Sequence, residues 1–175
     1  MFGQKLLKFL ISLAPSLQKK TQQKSSPQNQ NQKSDMNLLI KKYEGFSSKP
    51  YLCPAGVPTI GYGTTHYSDG TPVTMKDKPI TKETAEALLL HYVMNEIYPH
   101  IRDLTLSDAQ KEALVSLIYN IGWPAFSKSK CYKAIKAGDM CTAYQEWTWV
   151  KGGGKVLLGL VKRRAEEKYL FFCDI

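Results

Sequence analysis

Apolar and polar positions are distributed differently in two parts of the chain. Residues 18–35 are rich in Gln, Asn, Ser and Lys and lack apolar residues, which predicts a flexible linker. From residue 36 onward, apolar residues recur at spacings of three and four, which is typical of amphipathic helices. We therefore predict an N-terminal extension over residues 1–35 and a folded domain over residues 36–175.

Capping residues and apolar spacing predict two long helices. Ser107 and Gln110 form a capping box that opens one helix, which Gly122 ends. Thr81 is expected to cap another helix that runs to Tyr98. The residues expected to face inward are Ala113, Leu114, Leu117, Ile118 and Ile121 in the first of these and Ala87, Leu90, Met94 and Ile97 in the second. Two further helices are expected on either side of residues 137–139.

A small sheet is predicted after the first helix of the domain. The residues Leu38, Leu39, Tyr43 and Phe46 recur at helical spacing, and Gly45 is expected to close this helix. Residues 50–66 indicate two or three short strands with a turn at Pro54–Gly56. The predicted fold class is therefore α+β, mostly helical with a small antiparallel sheet. The glycine-rich residues 151–155 are expected to form a mobile loop near the cleft.

Positive charge is concentrated in the extension. The net charge is +9, of which residues 1–35, with six Lys and one Asp, carry +5 and residues 36–175 carry +4. A basic enzyme is attracted to an anionic cell envelope. Nucleic acid is not expected as a partner, because no zinc spacing, helix-turn-helix signature or RNP-like aromatic motif is present. No apolar run approaches the roughly 18 residues that span a bilayer.

Residues 1–17 admit two interpretations. Four leucines, Leu6, Leu10, Leu13 and Leu17, share one face of a helix, which would give weak contact with a membrane surface or a targeting function. Lys8 interrupts the apolar run and Pro15 directly follows Ala14, and neither feature is typical of a cleaved signal peptide. The other interpretation is a disordered extension.

Glu44 is the candidate proton donor. It is expected at the C-terminus of the first helix, where the helix dipole disfavours negative charge. The aromatic neighbours Tyr43 and Phe46 would exclude water from it. Both effects favour the protonated carboxyl that a general acid needs. The alternative is a solvated glutamate on a surface helix.

The stretch from Glu44 to Gly63 resembles the phage-type lysozymes, the endolysins of glycoside hydrolase family 24. Cys53 and Thr59 follow Glu44 at the family's spacing, and the family often has Asp where this chain has Cys53. The other matching residues are Gly45, Tyr51, Gly56 and Gly61-Tyr62-Gly63. Residues 113–122 and the Gly-Leu-x-x-Arg-Arg-x-x-Glu segment at residues 159–167 are also similar to this family.

The resemblance implies a lysozyme-like fold and a peptidoglycan hydrolase. It would cleave the β-1,4 bond between N-acetylmuramic acid and N-acetylglucosamine, with no metal or organic cofactor, and Glu44 would protonate the leaving oxygen. Cys53 and Thr59 stand where a second carboxylate is usual. The Cys53 thiol or thiolate could accept a proton from water that Thr59 orients, which inverts the anomeric centre. A thiolate could instead attack the anomeric carbon, which gives retention.

Further residues are candidates for binding the glycan strand. The resemblance implies substrate-binding roles for Tyr51, Tyr62, Asn120, Arg163 and Arg164, and one of the two arginines is expected to pair with Glu44. His66 is a candidate to line the cleft, and the alternative is a loop histidine bonded to backbone. Trp147 and Trp149 are candidates to stack on sugar rings, although tryptophan is more often buried.

Two other functions remain open at this point. A non-catalytic glycan-binding module is suggested by Cys53 in place of Asp, and a related glycosidase would act on chitin. We expect a monomer that either stays in the host cytoplasm until release to the cell wall or is exported.

The four cysteines lack a CxxC pair, so zinc is not expected. Cys131 and Cys141 flank the turn at residue 138 and could form a disulfide in an oxidising compartment. The default expectation is free thiols, with Cys131, Cys141 and Cys173 as packing residues.

Overall fold

The structure is a computed structural model that describes residues 38–173. Its elements, in chain order, are α1 (Leu38–Glu44), β1 (Ser47–Leu52), β2 (Pro58–Gly61), α2 (Lys82–Tyr92), a π-helical turn (Val93–Ile97), α3 (Tyr98–Ile101), α4 (Asp108–Ile121), α5 (Trp123–Ser127), α6 (Lys130–Ala137), α7 (Met140–Glu146), β3 (Lys151–Gly152), β4 (Lys155–Val156) and α8 (Leu158–Phe172). The predicted α+β class, with a small antiparallel sheet after the first helix, is confirmed. The predicted extension over residues 1–35 lies outside the described residues, so the domain boundary stays a prediction.

The first helix runs directly into the sheet. Gly45 follows α1 in the left-handed region, with φ of 69°, and its N–H donates to the Lys41 carbonyl at 3.3 Å. β1 and β2 pair in antiparallel fashion, with Tyr51 opposite Thr59. The connecting turn is closed by the Cys53 N–H, which donates to the Val57 carbonyl at 3.0 Å. The turn predicted at Pro54–Gly56 is thereby confirmed.

The buried faces of the first two helices differ from the prediction. In α1 the buried residue is Ile40, whereas Leu38 is exposed. From α2 to α3 the predicted positions Ala87, Leu90 and Met94 are not in the core. The buried positions are Ala85, Leu89, Val93, Ile97 and Ile101. They recur every fourth residue, a spacing between the 3.6 residues of an α-helical turn and the wider π-helical turn.

Helix α4 forms the centre of the core. Its predicted start is confirmed: the Ser107 hydroxyl accepts from the Gln110 N–H at 3.2 Å, and the Gln110 side chain accepts from the Ser107 N–H at 2.9 Å. Its buried residues are Ala113, Leu114, Val115, Ser116, Leu117 and Ile118. Helix α8 packs along α4, and α1 also contacts it. Consequently α4 holds the first and last helices of the domain next to each other.

The region between α5 and α8 contains the two predicted helices around residue 138. They are α6 and α7, which pack as a helical hairpin. The segment predicted as a mobile glycine-rich loop is a short antiparallel hairpin of β3 and β4, in which Lys151 lies opposite Val156. Trp147, after α7, is buried and packs against Phe171. It therefore has no surface on which a sugar ring could stack.

The four cysteines are free thiols. Cys131 is buried, and its thiol donates to the Ala143 carbonyl at 3.5 Å; burial raises its pKa to about 12. Cys141 and Cys173 are exposed, so the packing role predicted for them is wrong. Between residues 38 and 173, no helix is long and apolar enough to cross a membrane. The same residues contain no group of three or more side chains of His, Cys, Asp or Glu that could hold a metal ion.

Candidate active site

Glu44 is the last residue of α1, and its carboxyl group lies at the edge of the core. Its Oε1 atom lies 2.6 Å from Nη1 of Arg163 in α8, and the Glu44 side chain keeps 25% of its surface exposed. Of the two arginines that the sequence offered, Arg163 is therefore the one that pairs with Glu44. The ion pair fixes one carboxyl oxygen and leaves the group accessible from one side.

Arg163 is itself held firmly in place. Its side chain is only 4% exposed, and its Nη2 donates to the Ser116 carbonyl on α4 at 3.0 Å. The guanidinium lies 5.4 Å from the centre of the Tyr43 ring on α1. Contacts with α4 and α1 therefore orient the Arg163 guanidinium, which in turn orients the Glu44 carboxyl. A buried guanidinium with these partners has little surface left for a substrate, which does not favour the predicted substrate contact of Arg163.

A fully buried carboxylate, Glu167, completes the arrangement. Its Oε1 accepts from Arg163 Nε at 3.1 Å and from the Ser116 hydroxyl at 2.7 Å. Its Oε2 accepts from the Trp147 indole at 3.3 Å. Arg164 lies against the same group, with Nη2 2.9 Å from Oε1 and Nε 2.7 Å from Oε2. Burial raises the pKa of Glu167, and both arginines and these hydrogen bonds oppose that shift.

The location of Arg164 does not favour the substrate-binding role predicted for it. Arg164 is buried, and its side chain binds Glu167, whereas Glu44 pairs with Arg163. Burial also lowers the pKa of its guanidinium, which the Glu167 charge opposes. Guanidinium groups stay protonated in proteins. The positive charge of Arg164, 2.7 Å from Glu167 Oε2, therefore stabilises the ionised Glu167 carboxylate. Direct binding of substrate by Arg164 is not favoured by this location.

Cys53 and Thr59 lie at the turn end of the sheet. Hydrogen bonds from the backbone at Val57 and Ala55, and from the Thr59 hydroxyl, lower the pKa of the Cys53 thiol. Thr59 is only 3% exposed, and its Oγ1 donates to the Val57 carbonyl at 2.9 Å. The pair thus favours a thiolate. The Thr59 side chain is within hydrogen-bonding reach of Cys53 and has little exposed surface of its own.

Tyr51 connects this pair to Glu44. It lies opposite Thr59 in the sheet and is exposed. Burial of its hydroxyl, the charge of Glu44 and that of Cys53 all raise its pKa. Tyr51 is thus within electrostatic range of Glu44 and Cys53 and lies opposite Thr59 in the sheet. A shared catalytic role for Glu44, Cys53 and Thr59 stays a prediction.

A cavity of about 170 Å³ lies next to Gly63, which is itself close to Glu44 Oε2. It is lined by Gly63, Thr64, Thr65, His66, Tyr92 and Tyr119. The Tyr119 hydroxyl donates to the Tyr62 carbonyl at 2.9 Å, and burial and the Glu44 charge raise its pKa. His66 does line the cavity, as predicted, and its Nδ1 also lies 3.1 Å from the Thr65 hydroxyl.

The predicted substrate-binding residues divide into exposed and buried groups. Asn120, near the end of α4, and Tyr51 are exposed and available to a ligand. Tyr62 is 3% exposed and its ring packs against Phe46. Burial of the Tyr62 ring leaves its backbone carbonyl, bonded to Tyr119, as its contribution to the site. The location does not favour a contact between this ring and a substrate.

Sequence reasoning missed several residues of this site. Ser116 and Glu167 form the polar interior of the α4–α8 contact, and Tyr92 and Tyr119 line the cavity. The signal for Ser116 was a hydroxyl within an otherwise apolar run. The signal for Glu167 was its spacing of four from Arg163, which places both side chains on one helix face.

Gly63 provides a test of how closely the site is packed. Its φ is +103°, and an added Cβ would lie 3.2 Å from the Tyr119 hydroxyl and 3.8 Å from Glu44 Oε2. We expect Gly63→Ala to lower the free energy of unfolding by about 1–3 kcal/mol and to reduce the activity of the folded protein. Chemical denaturation and an activity assay measure the two effects.

The control is Gly70→Ala, in which φ is +84° but nothing lies within 4 Å of the added Cβ. It has the backbone strain without the contact, so its activity should remain normal. Equal activities of the two variants would show that the contact with Tyr119 and Glu44 is unimportant.

Several known proteins are similar to this chain in sequence and in fold. The family model described as "Phage lysozyme" matches residues 41–167. An endolysin of Acyrthosiphon pisum secondary endosymbiont phage 1 is 39% identical over 142 residues, which cover 77% of this chain and 92% of that protein. A SAR-endolysin of Haemophilus phage HP1 is 34% identical over 165 residues, with 85% and 86% covered. The solved structure of an endolysin from Escherichia coli O157:H7 phage FAHEc1 matches at 33% identity with a TM-score of 0.68, covering 82% of this chain and 92% of that one.

Proposed function

This chain belongs to the phage lysozyme family, and on that premise we propose how its residues hydrolyse the glycan of bacterial peptidoglycan. Membership makes it a glycoside hydrolase, a lysozyme that acts on the cell wall. The bond cleaved is the β-1,4 linkage between N-acetylmuramic acid and N-acetylglucosamine. Nothing in the relatives favours the alternative of a non-catalytic glycan-binding module.

Glu44 is the general acid in this proposal. The observation that carries it is the 2.6 Å contact between Glu44 Oε1 and Arg163, made on the buried side of a carboxyl that is open on the other side. Oε1 is positioned by Arg163, and Oε2 lies close to Gly63, one of the residues that line the cavity. The carboxyl donates its proton to the leaving glycosidic oxygen as the bond breaks, leaving an oxocarbenium-like sugar.

Cys53 and Thr59 act on the opposite face of the sugar. Hydrogen bonds lower the pKa of Cys53 and so favour its thiolate. In this proposal the sulfur takes the proton of an attacking water or attacks the anomeric carbon itself. The Thr59 hydroxyl gives its one proton to the Val57 carbonyl, so its oxygen acts as the acceptor that orients the attacking water. Its slight exposure restricts this contact with water. No residue of this site needs a metal or organic cofactor in either route.

The stereochemistry of the product separates the two routes. Direct attack of water inverts the anomeric centre, and a covalent thioglycoside intermediate that water then hydrolyses gives retention. We expect inversion, because one displacement by a thiolate-activated water suffices. Proton NMR of the nascent anomer, recorded before mutarotation, measures this. A retained product would replace the general-base role of Cys53 with a nucleophilic one.

Analysis of the released ends tests the proposed function itself. Digestion of purified peptidoglycan should release fragments with N-acetylmuramic acid at the reducing end, identified by reduction and mass spectrometry. Reducing N-acetylglucosamine would show that the other glycosidic bond is cut. Faster cleavage of chitin oligomers than of peptidoglycan would favour the related chitin-cleaving activity.

The glycan strand is the partner, and exposed residues around Glu44 are available to bind it. Tyr51 and Asn120 offer an aromatic ring and an amide, and Tyr92 and His66 line the adjoining cavity. We propose that the enzyme acts as a monomer and reaches the wall by release from the host cytoplasm or by export. The similarity to a protein named SAR-endolysin supports release to the cell wall.

A further inference from the structure

We propose that Glu167 and Arg164, two buried residues outside the cleft, set the pH range over which Glu44 can donate its proton, acting through Arg163. This inference rests on the proposed role of Glu44 as general acid. Both are positioning residues, since neither reaches the cavity next to Gly63. Their effect is transmitted by charge through a guanidinium that touches Glu44 directly.

The geometry forms a continuous chain of contacts. Glu44 Oε1 lies 2.6 Å from Arg163 Nη1, and Arg163 Nε lies 3.1 Å from Glu167 Oε1. Arg164 Nε lies 2.7 Å from Glu167 Oε2. Arg163, Arg164 and Glu167 are each no more than 3% exposed as residues. Water therefore screens these charges poorly, and a change in one of them is felt by the next.

The charges of the four residues in this chain of contacts balance only when Glu44 is ionised. Arg163 and Arg164 carry two positive charges, and Glu167 and Glu44 carry two negative ones. Protonation of Glu44, which the general acid requires, leaves one excess positive charge among buried groups. The Glu167 carboxylate reduces the cost of this state because it already neutralises one arginine. Arg164 increases the cost.

Other charged and titratable groups also lie around these four linked residues. From α1, Tyr43 faces Arg163, and Lys42 pairs with Glu166 at 2.6 Å on the surface. From β1 and the following turn, Tyr51 and Cys53 lie near Glu44. From α4, Tyr119 faces Glu44 and the neutral Ser116 faces Glu167, which the neutral Trp147 also contacts. Hydrogen bonds lower the pKa of the Cys53 thiol, whereas burial raises the pKa of Tyr43, Tyr51 and Tyr119. His66 lines the cavity next to Gly63.

Two charge-removing substitutions should therefore shift the pH profile in opposite directions. In Glu167→Gln, the surplus of positive charge keeps Glu44 ionised to lower pH, so the alkaline limb of the kcat profile should move down by about one pH unit. In Arg164→Met, the limb should move up by about the same amount. The double variant should return close to the wild-type limb, and KM should stay within about twofold of the wild type in all three.

The experiment measures kcat and KM against pH on solubilised peptidoglycan strands for these three variants. The position of the limb does not depend on how much protein is folded, and the double variant removes a neutral pair, which preserves the charge balance of the interior. Circular dichroism reports the folded fraction. Glu146→Gln and Lys130→Met, which remove a surface pair at 3.9 Å, are the controls and should leave the limb unmoved.

Opposite shifts that cancel in the double variant support the proposal. Losses of activity with an unmoved limb, or shifts in the same direction, overturn it and leave Glu167 and Arg164 with a packing role alone. Glu44→Gln is assayed in the same series. Full activity of that variant would overturn the role of Glu44 first and this inference with it, whereas an inactive Glu44→Gln beside unmoved limbs overturns the inference alone.

Discussion

Replacement of Glu44 by Gln is expected to lower the rate of peptidoglycan clearing by about a thousandfold, since general acid catalysis commonly contributes 10²–10⁴-fold. Gln has nearly the shape of Glu, and its amide oxygen can still accept from Arg163, so the fold should be retained. The N–H groups of the amide are far too weakly acidic to protonate the leaving oxygen. The turbidity of a cell-wall suspension, followed over time, measures the loss, and thermal unfolding checks that the variant is folded.

The matched control for this prediction is Glu146→Gln. Glu146 also ends a helix, α7, and also has a basic partner, Lys130, at 3.9 Å. It lies outside the site, so its substitution should leave clearing unchanged. Comparable clearing by Glu44→Gln and the wild type would refute the assignment of the general acid, whatever the behaviour of the control.

Replacement of Cys53 by Ala should produce the second largest effect, a loss of about a hundredfold or more, because it removes the group proposed to activate water or to attack the sugar. Cys53→Asp should keep substantial activity, since a carboxylate is the usual second group in glycosidases. Its pH profile should extend to lower pH, because an aspartate ionises near pH 4 and a free thiol near pH 8.5. Hydrogen bonds lower the pKa of Cys53 and so reduce this difference.

Cys141→Ala is the control for thiol chemistry in general, because Cys141 is free and exposed. It should clear peptidoglycan at the wild-type rate. If Cys53→Ala remained as active as Cys141→Ala, the sulfur would have no part in the reaction. If Cys53→Asp were inactive while folded, a thiolate nucleophile would become the better description.

The sequence was sufficient to predict the first part of the site, because Glu44, Cys53 and Thr59 lie within one short motif on a helix end and a hairpin. It could not tell Arg163 from Arg164. Adjacent helical residues point about 100° apart, and only the packing of α8 on α4 decides which one reaches Glu44. The neighbouring residues Glu166 and Glu167 illustrate the same limit. Glu166 pairs with Lys42 at the surface, and Glu167 is completely buried.

Other differences arise where local periodicity does not determine burial. Thr59, Ile60, Gly61 and Tyr62 are all buried in succession, so alternation along the strand could not indicate which side chains reach the cleft. The π-helical turn changed the phase of the buried face between α2 and α3, and its position is not visible in the apolar spacing. In both cases tertiary contacts override the local pattern.

The contact between α1 and α8 has a consequence for biosynthesis. Glu44 and Arg163 are separated by 119 positions in the chain, and α8 has no place to pack until α4 has formed. A nascent polypeptide still lacking α8 would expose a glutamate with no Arg163 to orient it. Competence to degrade the wall is thus acquired only after α8, more than a hundred residues beyond Glu44, has left the ribosome.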